Sequence, residues 1–165
     1  MNLASRITRL PRPYEPAPGA EARALFPALD GDVAMLIEGA AGCSPYLRGL
    51  IRKEAEWLGP ALNGPEAAME ALIVALHAET ADPGTILRQT KRRAALLIGL
   101  MDLGGAWTLE EVTGALTTLA DAACQCALRF AVGAEIKRGK LPGKILEDAQ
   151  TAAGMTILAM GKMGA

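Results

Sequence analysis

Apolar residues recur at spacings of three and four along most of the chain, which is the period of an amphipathic α-helix. Segments with this spacing cover 32–41, 44–58, 66–79, 83–103 and about 108–138. In the fourth, the apolar stripe consists of Ile86, Leu87, Ala94, Leu97, Ile98 and Met101. The pattern therefore predicts a mostly α-helical protein, a bundle of five or six helices.

Residues that cap helices stand where these segments begin. Ser44 and Asp82 each precede a proline. The serine or aspartate side chain can accept a hydrogen bond from an unpaired amide at the helix start, and a proline at the first helical position loses no hydrogen bond. Thr108 and Glu111 have the spacing of a capping box. Gly42 is expected to end the first helix, and the Gly-Pro pairs at 59–60 and 64–65 are expected to separate the second from the third.

Both ends of the chain depart from the helical pattern. Prolines between Leu10 and Gly19 predict an arm over 1–20, followed by a helical domain over 21–139. From 140 to 165 we expect a linker and the truncated start of another domain. There, the short β-branched run Met155 to Met160 predicts one strand. A lone strand has no partner, so we expect 155–165 to be disordered, to pair with a second copy or to dock in a non-native way.

Composition narrows the classes of function. Lys and Arg number 17 against 18 Asp and Glu, a balance that argues against nucleic acid or a membrane surface as the main partner. The longest apolar run, 94–101, is much shorter than the roughly 20 residues that cross a bilayer. Three cysteines and a start without a secretory leader fit the cytoplasm.

The chain closes on a glycine turn, Gly161, Lys162, Met163 and Gly164, which directly follows the predicted strand. This turn, together with Ser44-Pro45-Tyr46-Leu47 and the blocks at 87–93, 102–105, 109–112 and 119–122, resembles the N-terminal unit of the glutamine synthetase adenylyltransferase family in order and spacing. Met163 replaces the family's commoner leucine, a change of little volume.

The resemblance implies the function of a parent enzyme. That family adds AMP from ATP to a tyrosine of glutamine synthetase and removes it with phosphate to give ADP, under control of a PII-type signal protein. It implies two aspartates that hold Mg²⁺ after the turn, beyond Ala165, and a turn, Gly161 to Gly164, that positions phosphate. We therefore expect no catalytic residue, metal or cofactor in this chain alone. The alternative is a free-standing helical module that binds glutamine synthetase or a PII-type regulator.

Other candidate residues carry weaker signals. Arg88, Lys91, Arg92 and Arg93 form one basic patch, which is either a phosphate or partner site or an ordinary solvated helix face. His77 is the only histidine and is expected to be half-buried. The three cysteines, Cys43, Cys124 and Cys126, are interpreted as small apolar packing residues.

Overall fold

The computed structural model describes residues 2–78 and 82–160. These residues form seven α-helices and two 3₁₀ helices, which confirms a mostly helical bundle but exceeds the five or six helices predicted, because one helix begins within the predicted arm and another predicted helix is divided in two. The α-helices are α1 (Pro16–Arg23), α2 (Gly31–Cys43), α3 (Pro45–Lys53), α4 (Ala55–Ala61), α5 (Pro65–His77), α6 (Pro83–Leu103) and α7 (Leu109–Lys137). The 3₁₀ helices span Leu3–Arg6 and Leu146–Gly154, and the second is called the C-terminal 3₁₀ segment below.

Helix α6 forms the centre of the core. The apolar side chains along its second half are mostly buried, and the helix contacts α2, α3, α5 and α7, so one helix joins most of the bundle. The most deeply buried of them are Leu96, Leu97, Leu100 and Met101. A smaller cluster of Leu76, Ala122 and Cys126 joins the end of α5 to the middle of α7. Aliphatic side chains thus fill the interior, as a chain with 4% aromatic residues requires.

The caps that the sequence predicts are present. The Ser44 hydroxyl accepts a hydrogen bond from the Leu47 amide, and the Asp82 carboxylate accepts one from the Thr85 amide. At the start of α7, Thr108 and Glu111 form the reciprocal capping box, with distances of 3.2 and 2.7 Å. Local chemistry therefore sets the starts of α3, α6 and α7.

The break between the second and third predicted helices lies elsewhere than expected. Glu54 leaves helical geometry at φ −112° and ψ 21°, so the predicted helix over 44–58 is divided into α3 and α4. Gly59 and Pro60 lie inside α4 instead of ending a helix. The physical reason is the Glu54 side chain, which turns into the protein toward two arginines on α6.

Residues 2–15, named here the N-terminal strap, lie across α2 and the end of α6. The Thr8 amide donates to the Gly104 carbonyl over 2.9 Å, and the Glu15 amide donates to the Gly42 carbonyl over 3.0 Å. A Cβ atom added to Gly39 would overlap the carbonyl oxygen of Pro11. The boundary predicted at residue 20 falls within α1, which packs on α2, so the first helix lies partly in the predicted arm.

The C-terminal 3₁₀ segment packs on α7 and contains a kink. Ala152 and Ala153 have φ values of +52° and +53°, a left-handed geometry that costs an alanine energy. Residues 155–160 belong to no helix or strand, so the predicted strand is not seen in the described part of the chain. A strand needs a neighbour to bond with, and Leu158 and Met160 remain 82% and 85% exposed.

Candidate functional site

The four arginine and lysine side chains of the predicted basic patch divide into two pairs. Arg92 and Arg93 point toward Glu54, with Nε to carboxylate distances of 3.0 and 2.8 Å. The Arg93 guanidinium also lies 5.2 Å from the centre of the Trp57 ring, a cation–π geometry. These two arginines therefore hold α6 to the start of α4. Neither of the two interpretations of the basic patch, a solvated helix face or a phosphate or partner site, included this structural role.

Glu54 is the buried partner of both arginines. Its side chain is 5% exposed. Burial raises the pKa of this carboxyl, but hydrogen bonds and charge from Arg93 and Arg92 outweigh burial and hold the pKa below its ordinary value of 4.5. The carboxylate stays ionised near neutral pH and ties two helices together.

Arg88 and Lys91 lie on the outer side of α6. Lys91 is exposed. Arg88 donates to the Thr85 hydroxyl over 3.2 Å, and together with the capping bonds from Thr85 its charge contributes to a lowered pKa of Asp82. Only this pair of the predicted patch is free to meet a partner surface without breaking the Glu54 network.

The second predicted site, Gly161, Lys162, Met163 and Gly164, lies outside the described residues. The last described residues lead from the C-terminal 3₁₀ segment to Met160. Within the described ranges, no group of three or more His, Cys, Asp or Glu side chains is placed to hold a metal ion. In the same ranges, no helix combines the length and apolarity of a membrane span.

The structure agrees with only some of the predictions for the histidine and the three cysteines. His77, the last residue of α5, is exposed and not half-buried, because the bundle ends there. Cys126 is fully buried in the smaller core cluster, as a packing residue would be, and Cys124 is intermediate. Cys43 is exposed, and its thiol donates to the Arg12 carbonyl of the strap over 2.9 Å, so the packing interpretation is wrong for this residue.

The structure also contains a cleft that sequence reasoning missed. It has a volume of about 600 Å³ and lies between the end of α5, the C-terminal half of α7 and the C-terminal 3₁₀ segment. One signal was available in the sequence: Arg129, Gly133 and Lys137 recur every four residues and so share a face of α7. The opposite wall was not predictable, because the 3₁₀ segment has no helical period.

A second, more apolar groove lies between α5 and the start of α7. Its volume is about 400 Å³, and Met69, Ile73 and Trp107 contribute to its lining. The Trp107 indole donates to Glu66 over 2.8 Å, and Arg6 of the strap pairs with the same carboxylate. Burial raises the pKa of Glu66, but the bonds from Arg6 and Trp107 outweigh it and lower that pKa. The Glu66 carboxylate at the edge of this groove is thus already paired with Arg6 and Trp107.

Comparison with known proteins supplies the family. The family model for glutamate-ammonia ligase adenylyltransferase matches residues 35–165. A bifunctional glutamine synthetase adenylyltransferase/adenylyl-removing enzyme of a Bradyrhizobium strain is 40% identical over 92% of this chain and 16% of that protein. The enzyme of the same description from a Rhodopseudomonas palustris strain is 37% identical over 99% of this chain and 19% of its own length. No solved structure gives a significant match.

A third relative with the same description, from Caulobacter vibrioides, is 41% identical over 74% of this chain. The chain spans less than one fifth of each of these three relatives, between 13% and 19% of their length. The match nevertheless covers α2 through α7 almost entirely, including the caps at Ser44, Asp82 and Thr108. On this evidence the chain belongs to the glutamate-ammonia ligase adenylyltransferase family.

Proposed function

We propose that this chain is the N-terminal helical segment of a bifunctional glutamine synthetase adenylyltransferase and deadenylylase. The parent enzyme adds AMP from ATP to a tyrosine of glutamine synthetase and removes it by phosphorolysis, in the cytoplasm. The observation that carries this proposal is the family match over 35–165, together with relatives that align with 92–99% of the chain. Resemblance to the N-terminal unit favours the removing reaction.

The segment has a positioning role in this proposal. The end of α7 and the C-terminal 3₁₀ segment hold residues 155–160 at the surface, where they become the first strand of a nucleotidyltransferase domain once neighbouring strands are present. The exposed apolar side chains of Ile157, Leu158 and Met160 support this role, because an inner strand buries such residues. Gly161 to Gly164 would then form the phosphate-positioning turn at the end of that strand.

The magnesium and nucleotide of the reaction belong to the parent enzyme. Within the described residues, no group of three or more acidic, histidine or cysteine side chains is placed to hold a metal ion. Residue 165 directly follows the glycine turn, and the resemblance places the two metal-binding aspartates later in the parent. We therefore propose that this chain alone does not catalyse the reaction.

Contacts with glutamine synthetase and a PII-type protein are assigned to the parent as well. Of the predicted basic patch, Arg88 and Lys91 are the candidates for such a contact or for phosphate. Arg92 and Arg93 are committed to Glu54, so their use by a partner would expose a buried carboxylate.

Phosphorolysis by two lengths of the protein tests the proposal. Adenylylated glutamine synthetase, Mg²⁺ and phosphate are incubated with this 165-residue chain or with a longer protein that includes the residues following 165 in the parent, and ADP is measured by chromatography. We expect ADP from the longer protein, none from the short chain, and none from either without phosphate.

Two outcomes would contradict parts of the proposal. Steady ADP release by the short chain would refute its inactivity. A longer protein without activity would refute the assigned reaction, and stable binding of the short chain to glutamine synthetase in that case would support the interaction-module alternative.

A further inference from the structure

The cleft between α5, α7 and the C-terminal 3₁₀ segment has the size and lining of a small-molecule site. Its volume of about 600 Å³ lies within the range of known ligand pockets. Three basic side chains line it, namely His77 at the end of α5 and Arg129 and Lys137 on α7. We propose that this cleft binds a small organic anion that carries a flat apolar group.

Arg129 is held in place for such a ligand. One of its terminal nitrogens donates to the Leu76 carbonyl at the end of α5 over 2.7 Å. This bond fixes the guanidinium at the wall of the cleft, and an arginine has five N–H donors in all. A fixed guanidinium binds a phosphate or carboxylate with less loss of side-chain entropy than a free one.

The two cations of α7 line the same wall of the cleft. Arg129 and Lys137 are two helical turns apart on one face, and Gly133 lies midway between them. Gly133 is buried beneath the C-terminal 3₁₀ segment, and a Cβ added to it would lie 3.4 Å from the Ala149 Cβ. The long side chains of Arg129 and Lys137 can therefore reach one ligand from its two sides.

The remaining lining explains the apolar half of the ligand. Phe130 is half-buried beside Arg129, and Leu146 contributes to the opposite side of the cleft. An aromatic ring next to a guanidinium offers a flat ligand a stacking surface. Among the described residues of the lining, Glu147 is the one carboxylate, and its charge directs the anionic group of the ligand toward Arg129.

The more apolar groove at Trp107 lacks these features. Its three charged lining residues, Glu66, Glu70 and Glu111, are all acidic, and Glu66 is bonded to Arg6 and Trp107. Carboxylates repel an anion, so this groove serves as an internal comparison for the cleft.

Nuclear magnetic resonance on the intact chain tests the proposal. His77 is the only histidine, so its ring signals report on the cleft alone. Phenyl phosphate, inorganic phosphate and phenol are titrated separately. We expect saturable shifts of the His77 signals with phenyl phosphate, at least about threefold weaker binding of inorganic phosphate, and no saturable shift with phenol.

A pair of lysine variants locates the site. Lys137→Gln removes a charge from the cleft at an exposed position, and we expect phenyl phosphate to bind about two- to fivefold more weakly. Lys140→Gln is the matched control, because Lys140 is also exposed but does not line the cleft. Its affinity should equal that of the unmodified chain.

Three results would overturn the inference: His77 signals that do not respond to phenyl phosphate, equal weakening by the two variants, or inorganic phosphate binding as tightly as phenyl phosphate. The measurement needs neither glutamine synthetase nor turnover. Its failure would therefore leave the proposed parent function untouched, and failure of that function would leave the cleft untouched.

Discussion

The N-terminal strap and the C-terminal 3₁₀ segment are two stretches outside the α-helices that are attached to the bundle by different means. The strap bonds to residues far along the chain: Thr8 to Gly104, Arg6 to Ala106 and Glu15 to Gly42. In the C-terminal segment, Asp148 accepts hydrogen bonds from the nearby Ile145 amide and Thr151 hydroxyl, and the segment packs on α7. Long-range bonds couple the strap to global stability, whereas we expect the C-terminal segment, which packs mainly on α7, to open more readily than the bundle.

A substitution beneath the strap gives the largest expected effect. Gly39→Ala places a methyl group on the Pro11 carbonyl, so the strap must move or α2 must shift. We expect the free energy of unfolding to fall by about 3 kcal/mol, the upper part of the range for an overfilled site, measured by urea denaturation.

Gly49→Ala is the matched control for that substitution. Gly49 lies inside α3 and a Cβ there would meet nothing within 4 Å, so helix propensity alone predicts a gain of about 0.5–1 kcal/mol. Equal effects of the two variants would show that the strap does not constrain α2.

The buried Glu54 gives the next effect. Glu54→Gln leaves Arg92 and Arg93 without their carboxylate, so we expect the free energy of unfolding at pH 7 to fall by about 2 kcal/mol. The loss is smaller than for a fully buried ion pair because the two arginines are partly hydrated. Glu56→Gln, an exposed neighbour, should change stability by less than about 0.5 kcal/mol.

Glu54 also contributes to the loss of stability at low pH. The pKa of Glu54 is lower in the folded state, so the unfolded state binds more protons as pH falls through and below 4.5. The stabilisation is complete above that pH and is lost below it. The Gln variant should lose less additional stability on acidification, with a residual slope to which Glu66 contributes, since its pKa is lowered as well. An unchanged acid slope would rule out the Glu54 contribution.

The smallest global effect is expected at the C-terminal segment. Asp148→Ala removes the bond to the Ile145 amide, worth about 0.5–1 kcal/mol to the local turn. Amide exchange over 145–155 should accelerate while the unfolding midpoint of the bundle stays within error, and Lys144→Ala should change neither. A matching drop in the global midpoint would show that both ends are coupled to the core.

The sequence predicted those parts of the fold that depend on neighbouring residues. Ser44, Asp82, Thr108 and Glu111 cap helices because their partners lie three residues away. The division at Glu54 was not predictable, since its cause lies about forty residues further along, on α6. The strap was missed for a similar reason: its prolines indicate an extended chain but not the glycines that contact it, which lie in α2 and just after α6.

The candidate site shows the same limit. A run of basic residues at 88–93 predicted one patch, yet helical geometry and Glu54 turn two of its members inward. The cleft combines residues from three elements, and one of these, the C-terminal 3₁₀ segment, has left-handed alanines that no propensity predicts.

The strap has a practical consequence for anyone producing shorter recombinant pieces. The family model begins at residue 35, within α2, and a piece cut there would lose the strap, all of α1 and the first turn of α2. The carbonyls of Gly42, Gly104 and Ala106 would lose their donors, and the side of α2 that packs on α1 and the strap would be exposed to water. Such a piece would be prone to self-association during purification, so expression boundaries for this region belong upstream of Leu3.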